Sequence, residues 1–191
     1  MTKVLYPSCS ELVTHLYITD IEEIRKALRE ITRITGYKVG VYAYVTKYTD
    51  IPLNSRLGVS TRKVYLEVDI GKVQLVNTSY GDVKLGIDLS SLSSRDKRKI
   101  GNKKSDDLWL VLYNPNKKDH LRITLHDSYC SAYGLTFECE QHCCTLNYPA
   151  FAKIIQHFGS IYHAHDGGSP YEFEDWCKRN DLDDVLEHGS Y

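Results

Sequence analysis

The apolar positions of this chain change period at Gly36. Before it, Ile21, Ile24, Leu28 and Ile31 recur at helical spacing, with Glu22, Lys26, Arg29 and Glu30 on the other side. Thr19 and Glu22 have the capping-box spacing, and Gly36 stands where a helix stop is expected. After Gly36 the pattern becomes alternating. Tyr37, Val39, Val41, Ala43 and Val45 predict a strand, and Asp50, Pro52 and Asn54 predict a loop after it. Val64, Leu66, Val68 and Ile70 alternate with Lys63, Tyr65, Glu67 and Asp69. Gly71 and Tyr80-Gly81-Asp82 mark turns, flanked by Val73 and Leu75 and by Val83, Leu85, Ile87 and Leu89. Together these predict an antiparallel meander with one apolar face.

The stretch 90–107 is the least core-like and is expected to be a mobile basic loop. Strands resume at Leu108 to Tyr113, at Leu121, Ile123 and Leu125, and at Tyr133 to Glu140. From about residue 147 the pattern turns helical. Pro149 suits a first helical turn, and Ala150, Phe151, Ile154, Ile155 and Phe158 form a stripe that Gly159 ends. A short strand is expected at Ser160 to His165. Ser169-Pro170-Tyr171-Glu172 repeats the capping-box spacing before Phe173, Trp176 and Cys177, and Asp181 to Glu187 is a last short helix. The predicted class is α+β: one domain over 1–191, with an antiparallel or mixed sheet, an N-terminal helix, and C-terminal helices packed on one face.

Composition narrows the function. The chain has 191 residues, 24 Lys+Arg and 25 Asp+Glu, hence a formal net charge of −1. That excludes a bulk polycation coating nucleic acid and a polyacidic mimic of it. No apolar run approaches the roughly 20 residues that span a bilayer, so no membrane partner is expected. The first eight residues hold no long apolar stretch, and the six cysteines are expected as reduced thiols in the cytoplasm. Tyrosine (15) far outnumbers phenylalanine (4), which suits half-buried sheets and interfaces.

Four constellations carry candidate chemistry. Cys139, His142, His163 and His165, with Cys143, Cys144 and Asp166 nearby, offer the ligand types of a zinc site, which makes zinc the candidate cofactor. The competing reading makes the cysteines core fillers and the histidines surface positions. His120, Arg122, Thr124 and His126 share one strand face and could bind a phosphate. A solvated sheet face is the more economical account. Asp69 and Asp82, with Lys84 two residues on and Glu67 beside Asp69, resemble a metal-dependent nuclease set, a pattern common by chance. Arg95, Lys97, Arg98, Lys99, Lys103 and Lys104 face only Asp96 in their segment. Such cations attract nucleic acid or an acidic protein patch, but no aromatic residue interleaves them for base stacking. The stretch 166–187 is acidic in turn.

No nucleophile elbow, phosphate-binding glycine loop or dinucleotide fingerprint occurs in the chain. The expectation is therefore a non-catalytic intracellular binding or inhibitory protein. Its contacts would be protein–protein, through a tyrosine-rich sheet face, the basic loop or the acidic C-terminal helices. The alternatives are a zinc-dependent hydrolase, and a nucleic-acid-binding protein or nuclease.

Overall fold

The computed structural model of the protein describes residues 12–49, 58–116, 119–126, 134–139, 144–164 and 170–190. In chain order its elements are β1 (Leu12–Leu16), α1 (Ile21–Thr35), β2 (Lys38–Thr49), β3 (Gly58–Glu67), β4 (Val73–Asn77), β5 (Val83–Ile87), α2 (Ser94–Ile100), β6 (Trp109–Tyr113), β7 (His120–His126), β8 (Gly134–Cys139), α3 (Cys144–Phe158), β9 (Tyr162–Ala164), α4 (Tyr171–Arg179) and α5 (Asp183–Leu186). The class is α+β, as the periodicity predicts. None of the described helices is long and apolar enough to cross a membrane.

Helix α1 forms where the helical spacing places it. Its cap is Asp20 rather than Thr19: the Asp20 carboxylate accepts the N–H groups of Glu22 (3.0 Å) and Glu23 (3.1 Å). Gly36 ends it in the left-handed region at φ 72°, with its N–H donating to Thr32 O at 3.0 Å. Ile24, Ala27, Leu28 and Ile31 form its buried face. Full burial of an Ile or Leu side chain contributes about 1.5–3 kcal/mol relative to exposure.

Seven strands form one sheet in the order β3-β2-β6-β7-β8-β1-β9, and β4 and β5 form a separate two-stranded sheet. Every ladder is antiparallel. The meander expected from residue 37 to residue 89 is thus broken: β2 and β3 make a long ribbon, and β4–β5 leaves the main sheet. Strand β1 has no alternating pattern because all five of its residues are buried, so it lies between β8 and β9 without a period-two signature. The expected mobile loop at 90–107 is instead largely helical. Ser93 caps α2 by accepting the Asp96 N–H at 3.1 Å, and Ile100 (3 % exposed) anchors it in the core.

Paired residues of an antiparallel ladder share a face, so the register assigns the two sides of the sheet. Leu12, Phe137, Leu121, Leu110, Val41 and Leu66 lie on one face, in the same core cluster as the buried residues of α1 and α3. Val13, His15, Glu138, Arg122, Tyr113, Tyr42 and Tyr65 lie on the other. There Tyr42, Val111 and Tyr113 form a second cluster with Tyr65 and Trp109, to which none of the described helices contributes a residue.

Helix α3 begins at Cys144, earlier than Pro149 suggests, and Pro149 lies inside it. Tyr148, Phe151 and Tyr162 meet Phe173 of α4 edge-on, with ring centroids 5.1–5.2 Å apart for the Tyr148, Phe151 and Tyr162 pairs. This packing fixes α4 against α3 and β9.

Candidate functional site

The zinc constellation is split by the sheet. Cys139 pairs with Leu12 of β1, whereas His163 pairs with the next residue, Val13. Successive strand residues point to opposite faces, so Cys139 faces the helical core and His163 faces away from it. These two side chains cannot close on one ion. Cys139 is a buried member of the core cluster. His142, His165, Cys143 and Asp166 lie outside the described residues, and Cys144 opens α3. Among the described residues, no three His, Cys, Asp or Glu side chains are grouped to hold a metal. His163 instead stacks on His15, centroids 4.9 Å apart at 21°, and His15 Nδ1 lies 2.9 Å from Thr136 Oγ1. His15 escapes sequence reasoning because the strand that carries it does.

The His120 ridge is not a solvated face. His120 is 1 % exposed. Its Nδ1 lies 2.8 Å from the Tyr65 hydroxyl, and its ring is 4.7 Å from that of Tyr42. Arg122 sits 5.5 Å over the Trp109 ring and 3.7 Å from a Glu138 carboxylate oxygen. Thr124 is half-buried, and His126 occupies β7 opposite Gly134. His120 and Arg122 are therefore packed against tyrosine and tryptophan rings from β2, β3 and β6. Tyr113 stacks on Tyr65 at 5.2 Å, and Tyr42 lies 5.1 Å from Tyr65. Glycine at position 40 makes room for this, since a Cβ there would stand 2.7 Å from the Tyr113 ring.

The nuclease-like set is dispersed. Asp69 accepts the Gly71 N–H at 2.9 Å and caps the 3-10 turn Ile70–Lys72. Asp82 belongs to the β4–β5 turn, where its N–H donates to Thr78 Oγ1 at 3.1 Å. The two acids stand at opposite ends of that ladder, which pairs Val73 with Ile87 and Asn77 with Val83. Four residues of strand separate those ends, about 13 Å. Lys84 donates to the Ser105 carbonyl at 2.6 Å and the Leu108 carbonyl at 3.1 Å. Burial lowers the pKa of its ammonium, opposed by the charges of Asp106 and Asp107. Glu67 pairs with Lys38 at 2.8 Å. Each of these groups except Asp82 has a structural partner that accounts for it.

The basic segment is divided as well. Arg95, Lys97, Arg98, Lys99 and Lys104 are exposed and Lys103 is half-buried. Lys99 lies 3.5 Å from Asp96 on its own helix. Of these six cations, Lys99 alone lines a groove of about 610 Å³ beside β3. Arg62, Lys63, Val64 and Tyr65 of β3 form one wall, and Tyr113, Asn114 and Pro115 another. No carboxylate is among the described lining residues. Among the described residues Arg62 and Lys63 make no ion pair, and Lys63 lies 6.0 Å over the ring of Tyr44, a residue 44 % exposed. Sequence reasoning missed both: Lys63 read as an ordinary polar position on an alternating strand, and Arg62 fell just before it.

A second buried polar group is structural. The Tyr37 hydroxyl lies 3.2 Å from Asp119 Oδ2 and 3.1 Å from Asn147 Oδ1, and Asn147 Nδ2 donates to the His120 carbonyl at 2.7 Å. Burial, and then the Asp119 charge, push the Tyr37 pKa up. These bonds tie the start of α3 to the start of β7.

Comparison of the chain with protein-family models, with curated proteins and with solved structures gives no match.

Proposed function

We propose that this is a non-catalytic binding or inhibitory protein whose partner is another protein, engaged through an acidic surface at the groove beside β3. The observation that carries the reading is the charge of that groove. Arg62, Lys63 and Lys99 line it, and no carboxylate is among its described walls. Facing cations raise association rates and select partners of opposite sign. The dispersal of Asp69, Asp82 and Lys84, and the opposed directions of Cys139 and His163, favour binding over the hydrolytic alternatives.

Nucleic acid would also meet these cations through its phosphates. Single-stranded binding draws much of its strength from bases stacking on free aromatic faces. Here Tyr65 and Tyr113 stack on each other, and Tyr42 packs on Tyr65. The rings beside the groove thus spend their faces on one another, which favours an acidic protein.

The test is binding of a labelled polyglutamate peptide to the intact chain at low and high salt. Arg62→Glu combined with Lys63→Glu is expected to weaken binding at least ~10-fold, about 1.4 kcal/mol or more. Lys26→Glu, on the exposed side of α1, is expected to leave it unchanged. Equal binding by the double reversal and the native protein ends the reading.

A further inference from the structure

Strand β3 is one edge of the seven-stranded sheet. The Val68 N–H donates to the Val39 carbonyl at 3.0 Å, immediately beyond the Gly40–Glu67 pair that opens the β2–β3 ladder. Main-chain groups alternate in direction along an antiparallel ladder. Those of Leu66 and Val64 therefore turn toward β2, and those of Glu67, Tyr65 and Lys63 turn to the open side. Among the described residues, no main-chain group pairs with Lys63 or Glu67 on that side. An edge with such groups is a template for one more strand. The cationic groove runs beside the same residues, since Lys63 belongs to both.

Resting on the acidic-partner reading above, we infer that β3 receives an extended segment of the partner as an added strand. Main-chain hydrogen bonds to the outward groups of Lys63 and Glu67 hold the segment. Side chains of an added strand alternate between faces, and the register puts Lys63 and Arg62 on opposite sides of the sheet, so acidic residues on one side of the segment meet Lys63 and those on the other meet Arg62. A second copy of this chain is the poorer occupant, because its own β3 brings Arg62 and Lys63 again and adds cations to a groove that already has three. The Lys63 position also explains how an open edge is kept from indiscriminate pairing: a charged side chain there rejects apolar strands and tolerates acidic ones.

The experiment uses the full chain and three fluorescent probes: a ten-residue peptide of alternating Glu and Val, the same peptide N-methylated at alternate residues, and a ten-nucleotide oligothymidylate. N-methylation removes main-chain donors and leaves every charge. On the protein side, Lys63→Pro is compared with Lys63→Gln. Both lose the ammonium, but only proline loses the outward N–H, and a proline on the open side of an edge strand spares the ladder to β2. Expected are binding of the unmodified peptide, at least ~10-fold weaker binding of the N-methylated one, and at least ~10-fold weaker binding by Lys63→Pro than by Lys63→Gln. If Lys63→Pro does not fold, the N-methylated peptide alone decides.

If Arg62→Glu weakens binding while N-methylation and Lys63→Pro do not, the charged surface stands and strand addition is wrong. If the unmodified peptide does not bind, or Arg62→Glu with Lys63→Glu leaves it bound as before, the acidic-partner reading falls and strand addition with it. Tighter binding of the oligothymidylate than of the peptide overturns the inference in favour of a nucleic acid. A dimer in sedimentation that Lys63→Pro dissociates overturns it in favour of a second copy.

Discussion

The ring of Tyr113 lies over Gly40, at the place a side chain on residue 40 would fill. A Cβ built there would stand 2.7 Å from Tyr113 Cε1 and 2.4 Å from the Leu66 carbonyl oxygen. The second contact is to backbone, which cannot rotate away. Gly40→Ala is therefore expected to cost about 1–3 kcal/mol by overpacking. Urea unfolding followed by tyrosine and tryptophan fluorescence checks it. An unchanged midpoint would mean that the Tyr113–Tyr65 stack does not depend on the glycine.

Removing the Tyr37 hydroxyl takes a hydrogen-bond partner from both Asp119 and Asn147. Asp119 is buried, and its other oxygen, Oδ1, has no hydrogen-bond partner among the described residues. Tyr37→Phe is expected to destabilise by about 1–3 kcal/mol, the cost of leaving a buried polar group unsatisfied. The double variant Tyr37→Phe with Asp119→Leu is expected to recover part of the loss, since the buried carboxylate goes with its partner. Equilibrium unfolding of the three proteins measures both effects.

Cys177 has an alkaline signature. Burial, and then the charge of Glu174, push its thiol from 9.0 up to about 12. Between those values the unfolded chain releases the proton and the folded chain keeps it. The contribution to stability is whole below about pH 9 and is lost as pH rises toward 12. Other groups titrate in this range, so the comparison is with Cys177→Ala, whose stability is expected to fall less steeply from pH 9 upward. Cys177 is also expected to react with iodoacetamide only as fast as the protein opens, which alkylation followed by mass spectrometry reports.

The order of α2 is open to proteolysis. Arg95, Lys97, Arg98 and Lys99 are exposed trypsin sites, but cleavage needs the helix to unwind, and Ile100 holds it down. Ile100→Ala is expected to speed cutting within 94–100 at least ~10-fold, as a buried isoleucine truncated to alanine loses about 2 kcal/mol or more. Equal rates in the two proteins would mean that α2 opens without leaving the core.

Much of the fold is legible in the sequence, for identifiable reasons. Ile24, Leu28 and Ile31 bury one side of α1, and a single buried side leaves a clean period. Leu121, Ile123 and Leu125 do the same for β7. The alternation also places His120 and Arg122 opposite them, but alternation looks the same whether the polar side meets water or a layer of tyrosines. What covers them comes from Tyr42, Tyr65 and Trp109 on other strands, which only the register brings together. Strand β1 fails for the converse reason: Val13 and His15 are buried along with Leu12 and Leu16, so no contrast remains to read. In the basic segment, Ile100 is the single buried anchor, and one apolar residue makes no period. The groove is the least legible feature, because Arg62 and Lys63 meet Lys99 only through tertiary packing.

Strand β1 also dictates an order of assembly. It is the first described strand to leave the ribosome, yet its two neighbours, β8 and β9, are among the last. Until they emerge, Leu12 to Leu16 lack both of the strands they pair with in the finished sheet. The sheet closes only when β8 and β9 reach β1, across most of the described strands. Contacts so distant in sequence slow folding. A nascent chain arrested before β8 should therefore display the unpaired segment Leu12–Leu16, the kind of surface that holding chaperones grip.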